Sequence, residues 1–233
     1  MQRIVDLSGT LQNELWGYHE LPGMERVIPP FRVETVATLK NNGFFSSRIE
    51  MSTVTGLYLE SQAHVMEGGK TLDQYGPERF LVPAVVVNLP TQPQRAQVDG
   101  DMLAARAPKI NAGDALLLGT GWGSMWDAQG YVLRCPNLKR SAMEWVLEQG
   151  VSLFGVDTPC IESSSPDSDD SPRGSLLREL FERDILLLAP LVNLEKVRTG
   201  RGTLVCLPLK LQGTSGAPCR AIFIEETEAA APD

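Results

Sequence analysis

Residues 54–64, VTGLYLESQAH, bring a tyrosine, a glutamate and a histidine close together as Tyr58, Glu60 and His64. If this stretch is extended, Tyr58 and Glu60 fall on the same face. A carboxylate and an imidazole in one cleft can share a proton, because burial and each other's charge tune both toward neutral pH. A phenol beside them can donate a hydrogen bond to a developing oxyanion. The same residue types can also form a polar cluster under a loop, so the trio by itself leaves both readings open. The sequence has 2 histidines in all. The other is His19, in LWGYHELPG (15–23) with Trp16 and Tyr18.

Other chemistry-bearing patterns are weaker. GTGWGS (119–124) lacks the Gly-x-Ser-x-Gly order of a hydrolase elbow and the Gly-Lys-Ser/Thr ending of a phosphate loop. Its glycines suit a tight bend after a strand. The acidic PDSDD (166–170) has neither the glycine nor the distal glutamate of a calcium loop and reads as solvated surface. Cys135, Cys160, Cys206 and Cys219 are far apart, with no C-x-x-C pair, and are expected to be buried thiols. Asp157 either orients a pocket group or caps a turn.

The elements that must position these residues are mostly short strands. FRVETVATL (31–39) and FFSSRIEM (44–51) predict a hairpin, with Asn-Asn-Gly at 41–43 as its turn. VPAVVVNL (82–89) is nearly continuous and apolar, as a strand covered on both faces should be. Further strands are predicted within 114–121, 151–158, 185–190, 202–209 and 219–226. KRSAMEWVLEQG (139–150) predicts a helix with Ala142, Trp145, Val146 and Gln149 on one face and Gly150 as its stop. GSLLRELFERD (174–184) predicts a second, apolar at Leu176, Leu177, Leu180 and Phe181. Helices lying between strands imply one mixed α/β domain around a sheet or squashed barrel. The domain is expected over 1–226, with 227–233 as a flexible tail.

Composition narrows the partners. The 233 residues carry a net charge of −8 and no Lys/Arg cluster, which disfavours nucleic acid. No apolar run is long enough to span a bilayer, and the N-terminus lacks the pattern of a signal peptide. The expected setting is the cytoplasm, and the expected partner a small molecule.

The chain resembles the cyclase family that includes bacterial kynurenine formamidase and isatin hydrolase. That family's signature is His-x-Gly-Thr-His-x-Asp-x-Pro-x-His, and VTGLYLESQAH falls on it without a gap. The similarity continues through GGKTLDQYGPERFLVPAVVVNL (68–89), LLLGTGW (116–122), GVDTPCIES (155–163), LVNLEKV (191–197) and LPLKLQGTSGAPCRAIFIEE (207–226). IVDLSGTL (4–11) matches the family's usual opening, so the resemblance covers about residues 4–226. It implies a single compact β/β/α domain, often assembled as a homodimer or homotetramer. It also implies a zinc or manganese ion that activates water for attack on an amide or formyl carbonyl.

The signature is edited here. Val54 and Tyr58 stand where the first two histidines would be, Leu57 replaces threonine, Glu60 replaces aspartate, and Gln62 replaces proline. Gly56 and His64 are kept. A later histidine and glutamate of the family fall on Leu177 and Ala189 by an ungapped count, and no histidine follows His64. Glu60 and His64 are the remaining candidate ligands, fewer than a zinc site takes. The expectation is therefore an enzyme without the family metal. Tyr58, Glu60 and His64 would serve as its acid–base set, for cyclisation, isomerisation or dehydration of a small carbonyl substrate. The resemblance places the N-terminal loop near the substrate, so Trp16, Tyr18 and His19 are expected to line the pocket; Trp122 and Trp126, after the strand ending in Thr-Gly-Trp, either shape a flat apolar wall of it or pack in the core. The alternatives are a zinc- or manganese-dependent hydrolase of an N-formyl or cyclic amide bond, and a non-catalytic small-molecule binder.

Overall fold

The computed structural model describes residues 2–162 and 174–226. Its strands, in chain order, are β1 (Ile4–Asp6), β2 (Arg32–Ala37), β3 (Ser46–Glu50), β4 (Tyr58–Glu60), β5 (Leu81–Asn88), β6 (Gln97–Val98) and β7 (Ala115–Gly119). They continue as β8 (Asn137–Leu138), β9 (Leu153–Val156), β10 (Leu186–Ala189), β11 (Arg201–Val205), β12 (Gly216–Pro218) and β13 (Ile222–Glu225). The helices are α1 (Leu39–Asn42), α2 (Gly100–Ala104), α3 (Arg140–Glu148) and α4 (Ser175–Glu182).

Nine strands form one curled sheet in the order β1-β13-β11-β5-β7-β9-β10-β4-β12. Its centre, β5-β7-β9-β10, is parallel. Parallel neighbours need crossovers, and α2, α3 and α4 each lie in one. The outer strands pair antiparallel. The central strands alternate between two cores. Val85, Leu116, Phe154 and Leu187 pack against Ala142, Met143, Val146, Leu180 and Phe181 of the crossover helices. Val86, Leu117, Leu153 and Leu188 pack inside the curl with Leu59, Leu204 and Phe223. This two-sided burial is why the central segments read as unbroken apolar runs rather than alternating ones.

Several expectations are corrected. α3 buries Ala142, Met143, Val146 and Leu147, while Gln149 lies beyond its last turn as the C-cap. The buried stripe is thus rotated toward Met143, and Trp145 packs only at its margin. Gly150 does follow the helix end with φ 66°, the left-handed conformation a stop requires. β2 and β3 do pair antiparallel, but Leu39–Asn42 forms one helical turn between them, N-capped by Thr38. The hairpin stands apart from the main sheet and leaves Val36, Leu39, Phe44 and Phe45 exposed. The segment read as a strand from 202 stops at Val205, and β12 is a separate piece at the far edge of the sheet beside β4. Residues 166–170 and 227–233 lie outside the described residues. Among the described residues no helix is long and apolar enough to cross a membrane.

Candidate active site

β4 is hydrogen-bonded on both sides, to β10 and to β12. That rigid placement fixes the alternation of its side chains. Leu59 points into the curl and is fully buried. Tyr58 and Glu60 point to the opposite side, opposite Ala189 and Leu187 of β10. Gly56 enters the strand at φ 64°, a left-handed conformation that favours glycine.

After Glu60 the chain leaves the strand and makes a 3₁₀ turn over Gln62–His64. The turn swings His64 back so that its Nδ1 lies 3.0 Å from Glu60 Oε1. Gln62 holds the turn in place. Its amide donates to Phe181 O at the end of α4 and accepts from Lys70 N. Arg178 of α4 donates to Val65 O. Glu60 is deeply buried, whereas the His64 side chain is 37% exposed and sits at the mouth. Burial lowers the pKa of His64, but the hydrogen bond and negative charge of Glu60 outweigh it, and the imidazole is raised above its ordinary 6.5.

These side chains line a cavity of about 340 Å³, between β4, α4, the 18–28 segment and the 159–162 loop. Tyr18 and Tyr58 meet in it, with their hydroxyls 2.8 Å apart. The Tyr18 hydroxyl also donates to the Pro159 carbonyl. A carbonyl can only accept, so the proton of Tyr18 is committed there and Tyr58 donates to Tyr18. The oxygen of Tyr58 is left with an acceptor site. Both phenols are pushed well above the usual phenol range, first by burial and then by neighbouring negative charge, Glu60 acting directly on Tyr58. They are neutral hydrogen-bonding groups.

Of the residues singled out in the sequence, Tyr18, Tyr58, Glu60 and His64 come together in the cavity. Trp16, His19 and Trp122 are not among the lining residues. Trp16 instead packs edge-on against Tyr18, with ring centroids 6.2 Å apart. Trp122 stacks on Tyr131 and donates its indole N–H to the Tyr131 carbonyl. With Trp126 they form an aromatic block behind the phenol pair. Asp157 is a turn cap. Its buried carboxylate accepts from Thr120 N and Oγ1 and from Gly123 N. Burial raises its pKa against those hydrogen bonds.

Two lining residues carried no sequence signal strong enough to single them out. Cys160, expected to be a buried thiol, is half-buried and faces the cavity. Glu162 lines it too, and accepts from the backbone N–H groups of Gly174, Leu176 and Leu177 at the start of α4. A carboxylate in that position complements the positive end of a helix.

The donor set does not fit the divalent metal that the resemblance implies. Among the described residues no three His, Cys, Asp or Glu side chains gather closely enough to hold an ion. Val54 and Leu177, which align with family histidines, both line the cavity as hydrocarbon. Ala189 is buried beside Tyr58 in the sheet.

Comparison with known proteins gives the arrangement a context. The family profile described as "Putative cyclase" matches residues 5–163. A kynurenine formamidase of Erythrobacter litoralis is 28% identical over 230 residues, covering 98% of this chain and 96% of that protein. One from Salinibacter ruber is 30% identical over 177 residues, covering 75% of this chain and 77% of the relative. Isatin hydrolase A from Ralstonia solanacearum superposes with a TM-score of 0.83 at 24% identity, over 97% of this chain and 92% of that one. The corresponding enzyme from Labrenzia aggregata gives a TM-score of 0.82 at 21% identity, over 96% and 93%.

Proposed function

The chain belongs to the cyclase family, as a hydrolase-like enzyme, and we propose that it moves protons on a small carbonyl substrate with Glu60 and His64 rather than with a metal ion. The observation that carries this reading is the 3.0 Å contact between Glu60 Oε1 and His64 Nδ1 inside a ligand-sized cavity. Glu60 holds the proton on Nδ1, which makes Nε2 the basic nitrogen. Nε2 takes a proton from the substrate. The imidazolium that forms is stabilised by the buried carboxylate beside it, and then returns the proton to a second substrate atom. If that atom is carbon, the outcome is isomerisation. If it is a leaving hydroxyl, the outcome is dehydration. In each case atoms and charge balance without an added reagent.

Tyr58 supports the cycle as a neutral anchor. Its acceptor site orients a substrate hydroxyl, and rotation of its own O–H away from Tyr18 supplies a donor when negative charge develops on oxygen. That rotation gives up one neutral hydrogen bond, about 1 kcal/mol. Val54, Leu177 and Leu187 line the chamber around the pair with hydrocarbon. This raises the strength of every polar contact inside it. The loss of two aligned histidines to Val54 and Leu177 supports a metal-independent cycle over hydrolysis of an N-formyl or cyclic amide bond. The test is turnover by Glu60→Gln and His64→Ala against metal-stripped wild type.

A further inference from the structure

His64 is held from outside its own strand, and the contacts that hold it lead back to Glu162. α4 begins at a glycine: Gly174 is its N-cap, with φ 82° and no side chain to offer. The first N–H groups of a helix have no partner within it. A helix of 8 residues is also too short to be stable by itself. Glu162 supplies the missing cap from 12 residues earlier in the chain. Its Oε1 accepts from Leu176 N at 2.6 Å and from Leu177 N at 3.1 Å, and its other oxygen accepts from Gly174 N.

The capped helix in turn grips the segment that carries His64, on both sides of the histidine. Arg178 donates to Val65 O at 2.7 Å. Phe181 O accepts from Gln62 Nε2 at 3.1 Å. Gln62 stands where the family signature has a proline, so hydrogen bonding to α4 restrains this turn where a ring would. Held in this way, His64 Nδ1 lies 3.0 Å from Glu60 Oε1.

We infer that Glu162 is a positioning residue: by capping α4 it fixes the helix that holds the 62–65 turn, and so sets His64 against Glu60. This rests on reading Glu60 and His64 as the working pair, but not on which proton step the pair performs.

The two oxygens of Glu162 separate this role from an effect of its charge. Leu176 N and Leu177 N both go to one oxygen, so the amide oxygen of a glutamine can keep them. Alanine keeps neither, while both substitutions remove the charge.

The test is NMR of the full chain with isotope-labelled histidine, reading how fast the His64 Nδ1 proton exchanges with water. The sequence has 2 histidines, and His64→Ala assigns their signals. Glu162→Ala should speed the exchange about fivefold. Glu162→Gln should stay within about twofold of wild type. Arg178→Met removes the exposed grip on Val65 and should speed exchange about threefold, which keeps the inference testable if Glu162→Ala folds poorly. Wild-type rates in folded Glu162→Ala and in Arg178→Met would overturn the inference. Equal acceleration by Glu162→Gln and Glu162→Ala would overturn it too, because charge rather than capping would then be at work. Either result leaves the proton-transfer reading standing. Conversely, the expected exchange rates together with unimpaired turnover by His64→Ala would sink the proton-transfer reading and support this one.

Discussion

Glu60 and His64 meet at 3.0 Å because β4 ends between them and a 3₁₀ turn folds the histidine back over the strand. In a continuing strand, residues four apart would lie about 13 Å from each other. The turn, pinned by Gln62 to Phe181 O and Lys70 N, converts sequence proximity into a hydrogen-bonded pair.

The pair predicts a pH dependence of stability and of rate. The His64 pKa is raised in the folded protein above 6.5. Its contribution to stability is therefore fully present below the unfolded value of 6.5 and is lost as pH rises through the higher folded value. Thermal midpoints of wild type and His64→Ala should converge as pH is raised across that window. The rate should move the other way, with kcat/KM increasing as Nε2 becomes available. Glu60→Gln should shift that rise to lower pH. A profile unmoved by Glu60→Gln would show that the pair does not set the titration.

Metal ions should have little hold on the protein. A ligand present at 100 times its Kd stabilises by about 2.7 kcal/mol. For a chain of this size that is a rise of about 5 to 11 °C in midpoint. Chelator-treated protein given 100 μM zinc or manganese should shift by less than about 1 °C. A shift in the larger range would reveal a ligand set beyond Glu60 and His64.

Asp157 should matter for folding rather than chemistry. Its carboxylate satisfies Thr120 N, Thr120 Oγ1 and Gly123 N, and its carbonyl accepts from Tyr131. Asp157→Ala strands buried donors and should cost on the order of 3 kcal/mol. Urea denaturation measures this directly, and a cost below about 1 kcal/mol would remove the residue from this role.

A second copy of the chain is the expected cover for the β2–β3 hairpin. Two-stranded hairpins are marginal by themselves, and this one exposes Phe44 and Phe45 at 58% and 66%. Light scattering should give a dimer or tetramer. Phe44→Asp with Phe45→Asp should shift it to monomer, and a monomeric wild type would contradict the expectation.

How far the sequence anticipated this arrangement depends on where the governing contacts lie. The central strands were readable because burial on two faces demands apolar residues at every position, as in Val85, Val86 and Val87. The pairing of Tyr58 with Glu60 on one face followed from strand alternation. The edge pieces were harder. Leu207, Leu209 and Leu211 alternate like a strand, yet remain substantially exposed and belong to none. Glu162 and Cys160 in the cavity, and the Tyr18–Tyr58 contact, join segments far apart in the chain, and no local pattern encodes them. Trp16 and Trp122 show the reverse case. The resemblance suggested Trp16 as a pocket residue and left Trp122 between a ligand wall and the core, and large aromatics are also what fills the space behind such a wall.

The central claim is proton transfer by Glu60 and His64 without a bound metal. It is tested most directly by steady-state turnover of one substrate by metal-stripped wild type, Glu60→Gln and His64→Ala, side by side. The account predicts that stripping leaves the rate unchanged, while each substitution lowers kcat by about 10² to 10⁴. A stripped enzyme that loses its activity and regains it with zinc or manganese, or a His64→Ala variant that turns over at the wild-type rate, would contradict it.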